Sequence, residues 1–386
     1  MNNLLKKILE VLEQNGPLKA KKIALILDPT RTKVTHKHVS SVLHQELKLN
    51  LKGLHQDEQY VWEYKNPAIT TISFDSTSNW LSASNIENSL RKYPNLLSLR
   101  NNVIFDFSNK SLFLDCILKI LSLTSQLIKV GSTVTLKFDK DSDSISYLSR
   151  CGFFDKIHKD VIVLPYLPEV SLAKIYNANS ENLCEIISIT KDDDDSYLLR
   201  LAELIKAKLS DEDKKILLSK LRTFIGELVG NVRDHGLSDI DGFIALQIYS
   251  SGKIIIAISD SGAGLINTLR HEALAYYQHN PDLIALKEQT LENDIELLSY
   301  VFNKGKVSRT GLERRGLGLS RTNEVLRKIS NSRVSNISLT IRQQTNEFNF
   351  PFGIQGIETI GCSTKTDLMH IEGTHYVLTI KLDKHN

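Results

Sequence analysis

Long apolar runs are missing from this sequence of 386 residues. No stretch approaches the roughly 20 consecutive apolar residues that a membrane-spanning helix requires. Residues 1–16, MNNLLKKILEVLEQNG, place apolar side chains at a helical spacing between charged ones, unlike the continuous apolar segment of a signal peptide. We therefore expect no contact with a membrane and a cytoplasmic location.

Cysteine is scarce, and neither sign of charge is in excess. The 48 basic and 45 acidic residues leave a formal net charge of only +3, which neither requires nor excludes a nucleic-acid partner. The cysteines are far apart and form no C-x-x-C pair, which argues against a zinc site or a disulfide framework and favours a reducing compartment. The four cysteines are Cys116, Cys151, Cys184 and Cys362.

The length and composition predict an α/β protein of several domains. A chain of 386 residues is too long for one ordinary hydrophobic core, and 41% hydrophobic with 24% charged residues is typical of folded proteins. The acidic run KDDDD at 191–195 indicates a solvated boundary. We predict domains at 1–66, 70–165 and 196–386, with 166–195 as a linker.

The first domain shows a pattern of three short helices followed by a strand-like tail. This order resembles a winged helix-turn-helix, and the resemblance implies DNA or RNA as a partner. An interaction domain that binds protein is the alternative. In the nucleic-acid interpretation, the residues that would face the major groove or the phosphates are Lys33, His36, Lys37, His38 and Ser41.

The second domain alternates strands and helices. Its pattern resembles a STAS-like domain, the fold of anti-sigma-factor antagonists, which implies docking to a regulatory protein. In that family a serine or threonine that follows an aspartate at a helix start accepts phosphate. The matching step here is Asp115-Cys116. A cysteine cannot form the usual phosphoester, so a scaffold or docking role without chemistry is the alternative.

The third domain begins with a helix that carries three polar side chains in register. Glu227, Asn231 and His235 are spaced i, i+4, i+8, which places them along one helical face. The carbonyl oxygen of an asparagine suits Mg²⁺, which prefers oxygen ligands and retains several waters. A carboxylate one turn earlier can polarise a water or take a proton from a hydroxyl nucleophile.

Two glycine-containing segments follow the helix. Asp260-Ser261-Gly262-Ala263-Gly264 comes after a predicted strand, where a carboxylate can accept the adenine amino hydrogens and the glycines permit close backbone approach. Arg314-Arg315-Gly316-Leu317-Gly318-Leu319 opens a predicted helix, whose free N–H groups can bind phosphate. The basic residues between 266 and 315 are expected to form a lid over the triphosphate.

Gly373-Thr374 precedes the last predicted strand and completes the series. The order E-x-x-x-N, D-x-G-x-G, G-x-G, G-T resembles the N, G1, G2 and G3 boxes of the GHKL superfamily, which includes histidine kinases, anti-sigma-factor kinases, gyrase-type ATPases and heat-shock chaperones. The resemblance implies an α/β sandwich of the Bergerat type that binds ATP with Mg²⁺. By position it implies a catalytic Glu227, a metal ligand in Asn231, an adenine contact in Asp260, and further nucleotide contacts from Gly262, Gly264, Gly316, Leu317, Gly318, Leu319 and Thr374.

Several functions are compatible with such a module. We predict an ATP-dependent conformational switch or ATPase, coupled to nucleic-acid or regulatory-protein binding. One alternative is an anti-sigma-factor-like serine/threonine kinase, because ELVGNVRDHG is similar to the motif of those enzymes. Another is a catalytically inactive, ATP-sensing DNA-binding regulator. A histidine kinase fits less well, because no histidine-bearing dimerisation hairpin precedes the module. Homo-oligomerisation stays open.

Overall fold

The structure is a computed structural model and is of mixed α/β class, as the sequence predicts. Among the residues it describes, no helix is both long and apolar enough to cross a membrane. The described residues are 3–30, 32–48, 53–64, 69–98, 101–140, 142–190, 196–209, 221–233 without 223 and 227, 238–273, 281–304, 334–353 and 356–382.

The N-terminal part contains three helices and a small antiparallel sheet. Its core surrounds the fully buried Trp62, with Ile8, Val39 and Leu43 packed in the same cluster. The sheet has the strand order β1-β3-β2. The elements are α1 (Asn3–Asn15), β1 (Leu18–Lys19), α2 (Ala20–Leu27), α3 (His36–Lys48), β2 (Leu54–Gln56) and β3 (Val61–Tyr64). This order agrees with the expected series of elements, while the winged-helix assignment stays a prediction.

The middle part is built around a parallel sheet of order β4-β6-β8-β9. A short parallel pair, β5 and β7, lies beside it. The elements are β4 (Ile69–Ser73), β5 (Trp80–Leu81), α4 (Ala83–Leu90), β6 (Asn102–Asp106), β7 (Ser111–Leu112), α5 (Leu114–Lys129), β8 (Thr133–Lys137), α6 (Asp143–Cys151), α7 (Phe153–Lys156) and β9 (Ile162–Leu164). Most of α5 is buried, including polar positions.

The C-terminal part contains a large antiparallel sheet of order β10-β11-β12-β17-β13-β14-β15, with β16 paired to β14. Its strands are β10 (Leu183–Ile189), β11 (Gly242–Ile248), β12 (Lys253–Ser259), β13 (Val334–Gln344), β14 (Asn346–Gly353), β15 (Gly356–Ile357), β16 (Ser363–Lys365) and β17 (Ile371–Leu382). Its helices are α8 (Leu172–Tyr176), α9 (Ser196–Lys206), α10 (helical positions between 221 and 233), α11 (Leu265–Thr268), α12 (Pro281–Ile284) and α13 (Leu291–Lys304). A π-helical turn, Leu269–Ala273, continues α11.

The segment 166–195, which the sequence assigns to a linker, contributes a strand to this sheet. β10 pairs with β11 in antiparallel register, so that Leu183 lies opposite Gln247 and Ile189 opposite Gly242. Leu183, Ile186 and Ile189 are buried. The apolar side chains of LCEIISI explain this placement, because a strand of that composition gains from burial against a sheet.

The large sheet is covered on both faces. Ile254, Ile256 and Ile258 of β12 join the core that contains α10, whereas Ile255 and Ala257 join the core that contains α5. The helix α5 of the middle part contacts β11, β12 and β17 directly. Side chains of successive strand residues point to opposite faces, so the near-continuous apolar run of β12 is explained by burial on both sides. The result is three layers, with the sheet between α5 and α10.

Candidate functional site

Asp260 follows the last residue of β12 and is almost completely buried, with 8% of its surface exposed. By strand alternation it lies on the same face as Ile256 and Ile258, the face covered by α10. Its carboxylate accepts two backbone hydrogen bonds. Oδ1 accepts from the N–H of Gly262 at 2.7 Å, and Oδ2 accepts from the N–H of Thr374 at 3.2 Å.

Burial changes the pKa of the Asp260 carboxyl group. Desolvation raises the pKa of Asp260 from 3.8 to about 6, although the backbone N–H groups of Gly262 and Thr374 oppose the shift. The group is therefore mainly ionised at neutral pH and accepts hydrogen bonds only. Two carboxylate oxygens offer about four acceptor directions. The two backbone bonds leave acceptor capacity for the donor of a ligand.

Gly373 allows β17 to approach Asp260 unusually closely. Its φ is +77°, and a Cβ atom at this position would lie 2.1 Å from the carbonyl oxygen of Asp260. Only glycine fits both the backbone angle and the space. The approach brings Thr374 beside the aspartate, where the N–H of Asp260 donates to the carbonyl of Thr374 at 3.0 Å.

The loop after Asp260 is held by side chains from two other strands. The hydroxyl of Thr374 accepts from the N–H of Leu265 at 2.9 Å, and Oε1 of Gln343 on β13 accepts from the N–H of Ile266 at 3.1 Å. These bonds satisfy two of the N–H groups that the start of α11 leaves unpaired. Gly264 precedes the helix with a φ of +84°. The loop that contains both predicted glycines is thus fixed at each end.

Helix α10 carries Asn231 above the same face of the sheet. The predicted apolar face is confirmed, because Phe224, Leu228 and Val232 are buried in the core that contains β12. The helix approaches β11 so closely that a Cβ atom at Gly242 would lie 2.3 Å from Cγ1 of Val232. Nδ2 of Asn231 is buried and has no hydrogen-bond partner among the described residues. A buried amide N–H group of this kind can donate to an acceptor on a ligand.

The structure brings four predicted residues together: Asp260, Gly262, Gly264 and Thr374. Asn231 lies on the helix that covers their face of the sheet. The other predicted site residues, Glu227, Gly316, Leu317, Gly318 and Leu319, lie outside the described residues, as does His235.

The described residues alone offer too few oxygen ligands for a hard cation, so a cation at this site would need further oxygen ligands from a bound molecule. No group of three or more His, Cys, Asp or Glu side chains that could hold a metal occurs among the described residues. An asparagine carbonyl oxygen is a single neutral ligand. Mg²⁺ is commonly bound by one or two protein oxygens together with phosphates and waters. The site therefore fits Mg²⁺ that arrives with a phosphate ligand.

No protein-family model matches the chain, and no curated protein matches it. One match among solved structures is the crystal structure of the 43K ATPase domain of Thermus thermophilus gyrase B in complex with an aminocoumarin, with 11% sequence identity and a TM-score of 0.23. The match covers 48% of this chain and 40% of that one.

Four polar residues of α5 reach the opposite face of the sheet, a feature that the motifs did not predict. We call Asp115, Lys119, Ser122 and Gln126 the α5 stripe. Their spacing of i, i+4, i+7 and i+11 puts them on one side of a helix that is rich in apolar residues. Buried polar side chains require partners. This spacing can be read from the sequence and indicates a polar side of α5, but it does not identify the groups that these side chains contact.

The two sites predicted outside the C-terminal part differ in accessibility. The five residues predicted to contact nucleic acid, Lys33, His36, Lys37, His38 and Ser41, are exposed. Cys116 lies in the first turn of α5, as expected, but is fully buried. Its thiol donates to the carbonyl of Leu81 at 3.2 Å, and burial raises the pKa of the thiol. The matching position for a phosphate acceptor is therefore closed to solvent.

Proposed function

We propose that the C-terminal part binds ATP with Mg²⁺ and acts as an ATP-dependent conformational switch or ATPase of the GHKL type. The observation that carries the proposal is the pairing of Asp260 with Thr374. Two residues 114 positions apart, each singled out from its own short motif, lie in direct contact where β12 ends beside β17.

The buried carboxylate of Asp260 explains selectivity for adenine. An ionised carboxylate accepts the amino hydrogens of adenine, and hydrogen bonds to a charged acceptor are strong. Guanine would present a carbonyl oxygen at the corresponding position, which the carboxylate repels. Burial strengthens both effects, because electrostatic interactions are screened less in the interior than in water. Adenine specificity is therefore assigned to one residue.

The chemistry of the phosphates is assigned to α10 and to the predicted glycine loop. Asn231 would hold Mg²⁺ through its carbonyl oxygen, and Mg²⁺ neutralises charge on the phosphates when bound. By resemblance, Glu227 orients the attacking water or takes its proton. The backbone N–H groups of Gly316 and Gly318 would bind the phosphate oxygens.

The described contacts favour a switch over a kinase that phosphorylates its own middle part. Cys116 occupies the acceptor position and is buried. In contrast, α5 contacts β12 and β17, the strands that bring Asp260 and Thr374 together. A change at the nucleotide site can therefore alter the contacts of α5, and through them the binding of a regulatory protein or nucleic acid.

Phosphate release and ATP binding, measured with Mg²⁺ on the full chain, test this function. We expect the wild type to bind and hydrolyse ATP, and Glu227→Ala to bind ATP but hydrolyse it about 100-fold more slowly, because general-base catalysis contributes a factor of this order. The exposed Glu203 on α9 provides the control variant Glu203→Ala. Equal hydrolysis by Glu227→Ala and the wild type would contradict the assignment. Binding without any hydrolysis by the wild type would instead favour the ATP-sensing alternative.

A further inference from the structure

Asp260 and Thr374 are flanked by residues that point to the other side of the sheet. Ser259 and Ser261 precede and follow Asp260, and His375 follows Thr374. Because strand side chains alternate, Ser259 and Ser261 face α5 while Asp260 faces α10. The contacts agree, since Ser259 Oγ lies 2.7 Å from Oγ of Ser122 on α5. The backbone that carries the proposed adenine contact is therefore held from behind by the middle part.

Gln126 of the α5 stripe makes the most extensive of these contacts. Its Nε2 donates to Oγ of Ser261 at 2.9 Å and to the carbonyl of Glu372 at 3.1 Å. Its Oε1 accepts from the N–H of Glu372 at 3.0 Å. Gln126 is buried, with 3% of its surface exposed. One side chain thus joins the segment after Asp260 to the segment before Thr374.

These bonds lie where the segment after Asp260 and the segment before Thr374 approach each other closely. Glu372 immediately precedes Gly373, whose α-carbon faces the carbonyl of Asp260. Gln126 bonds the carbonyl of Glu372, which belongs to the peptide on the N-terminal side of that glycine, and the N–H of Glu372, which belongs to the peptide before it. The N–H of Thr374, on its C-terminal side, bonds the carboxylate of Asp260. The orientation of Gly373 is therefore determined by Gln126 on one side and by Asp260 on the other.

We propose that Gln126 is a positioning residue for the nucleotide site, so that the docking of α5 on the sheet sets the affinity for ATP. This inference rests on the proposed function, from which its ligand, ATP, is taken. The effect of Gln126 on the backbone does not depend on that ligand. Loss of the Gln126 contacts loosens the backbone at 259–265 and 371–376. Asp260 and Thr374 then no longer hold one fixed geometry, and ATP binding weakens. A protein that engages the middle part and shifts α5 would control the nucleotide site in the same way.

The variant Gln126→Met tests the positioning role, because methionine keeps the length of the side chain and removes all three hydrogen bonds. Ser261→Ala is a milder second variant that removes one of them. The control is Ser125→Ala, since Ser125 is also buried on α5 but donates within the helix to the carbonyl of Leu121. Amide hydrogen exchange without nucleotide and the dissociation constant for ATP with Mg²⁺ are measured on each full-length protein.

We expect Gln126→Met to exchange roughly tenfold faster at 259–265 and 371–376, and to bind ATP roughly tenfold more weakly, because buried groups lose their partners. Ser261→Ala shows smaller changes in the same direction, and Ser125→Ala shows none at these segments. Unchanged exchange at both segments in Gln126→Met, or equal acceleration throughout the sheet and the middle part, would overturn the positioning role. Local acceleration with unchanged ATP affinity would overturn its link to the nucleotide. Local acceleration in a protein whose wild type does not bind ATP would support the positioning and overturn the proposed function.

Discussion

Asp260 and Thr374 are hydrogen-bonded to each other in both directions. The N–H of Asp260 donates to the carbonyl of Thr374 at 3.0 Å, and the N–H of Thr374 donates to the carboxylate of Asp260 at 3.2 Å. The first bond continues the pairing of β12 with β17 beyond the last registered pair, Ser259 with His375. The second bond has the side-chain carboxylate of Asp260 as its acceptor, where a regular antiparallel pair would use a backbone carbonyl. The carboxylate is thus built into the end of the sheet and has little freedom to move.

The buried carboxyl predicts a pH dependence of nucleotide binding. Because desolvation raises the pKa of Asp260 to about 6, the ionised acceptor is lost as the pH falls through that value. We expect ATP binding to weaken below pH 6, approaching tenfold per pH unit. ATP should in turn lower the pKa of Asp260, since it binds the ionised form. Carbon-13 NMR of aspartate-labelled protein, with Asp260→Asn used to assign the signal, measures both. An Asp260 signal that titrates near 3.8, or one unmoved by ATP, would argue against this site.

The close approach at Gly373 predicts a large effect of a single methyl group. Gly373→Ala combines an unfavourable positive φ with a Cβ 2.1 Å from the carbonyl of Asp260. We expect it to lower the free energy of unfolding by at least about 2 kcal/mol and to abolish ATP binding. Gly16→Ala is the matched control, because Gly16 also has positive φ but its Cβ would meet nothing within 4 Å. Urea unfolding and ATP titration of both variants check the prediction, which fails if the two glycines tolerate alanine equally.

The hydroxyl of Thr374 is predicted to act by holding the loop that precedes α11. Thr374→Val keeps the shape but leaves the N–H of Leu265 without its acceptor. We expect ATP to bind roughly tenfold more weakly, since an unpaired buried donor costs about 1–3 kcal/mol. Thr374→Ser retains the hydroxyl and should bind within about twofold of the wild type, a difference of less than about 0.5 kcal/mol. Equal affinities of the valine and serine variants would show that the hydroxyl has no such role.

A buried ionic cluster joins the middle part to the sheet and predicts a stability effect. Glu87 of α4 bonds Lys119 of α5 and Arg342 of β13, the latter at 3.0 Å. Burial alone would raise the pKa of Glu87, but the two cations lower it to about 2. Its contribution to stability is therefore present above pH 4.5 and lost as the pH falls toward 2.

Glu87→Gln should cost about 3–5 kcal/mol at neutral pH, because it leaves buried cations without their full partner. The control is Asp75→Asn, which breaks an exposed pair with Lys92 and should cost less than about 1 kcal/mol. Urea unfolding at pH 7 compares the two. Similar costs would contradict a cluster that holds the two parts together.

The sequence predicts the local elements on which Asp260 and Thr374 lie, because residue type and spacing within a short segment determine them. The apolar face of α10, the turn after Asp260 and the strand after Thr374 follow from residue type and spacing over ten or fewer positions. The pairing of β12 with β17 does not, since it joins segments more than a hundred residues apart. Nor does the docking of α5: the spacing of Ser122 and Gln126 indicates a polar side of the helix, but only the three-dimensional arrangement shows that this side meets Ser259, Ser261 and Glu372.

The predicted linker shows a second limit of sequence patterns. The apolar strand β10 lies within 166–195 and pairs with β11. The acidic run that follows it suggested a boundary at 191–195. Charge runs indicate solvent exposure but say nothing about which core the neighbouring residues join. The partner of β10 is instead set by its pairing with β11, a strand more than fifty residues later in the chain.

Equilibrium titration of the full chain with ATP and with GTP in the presence of Mg²⁺, for the wild type and for Asp260→Asn, is the most direct test of the central claim. We predict that the wild type prefers ATP to GTP and that Asp260→Asn loses ATP binding by about 100-fold or more, because the charged acceptor at the base is removed. ATP affinity that is the same in the wild type and in Asp260→Asn, or a wild type that does not bind ATP, would contradict the account.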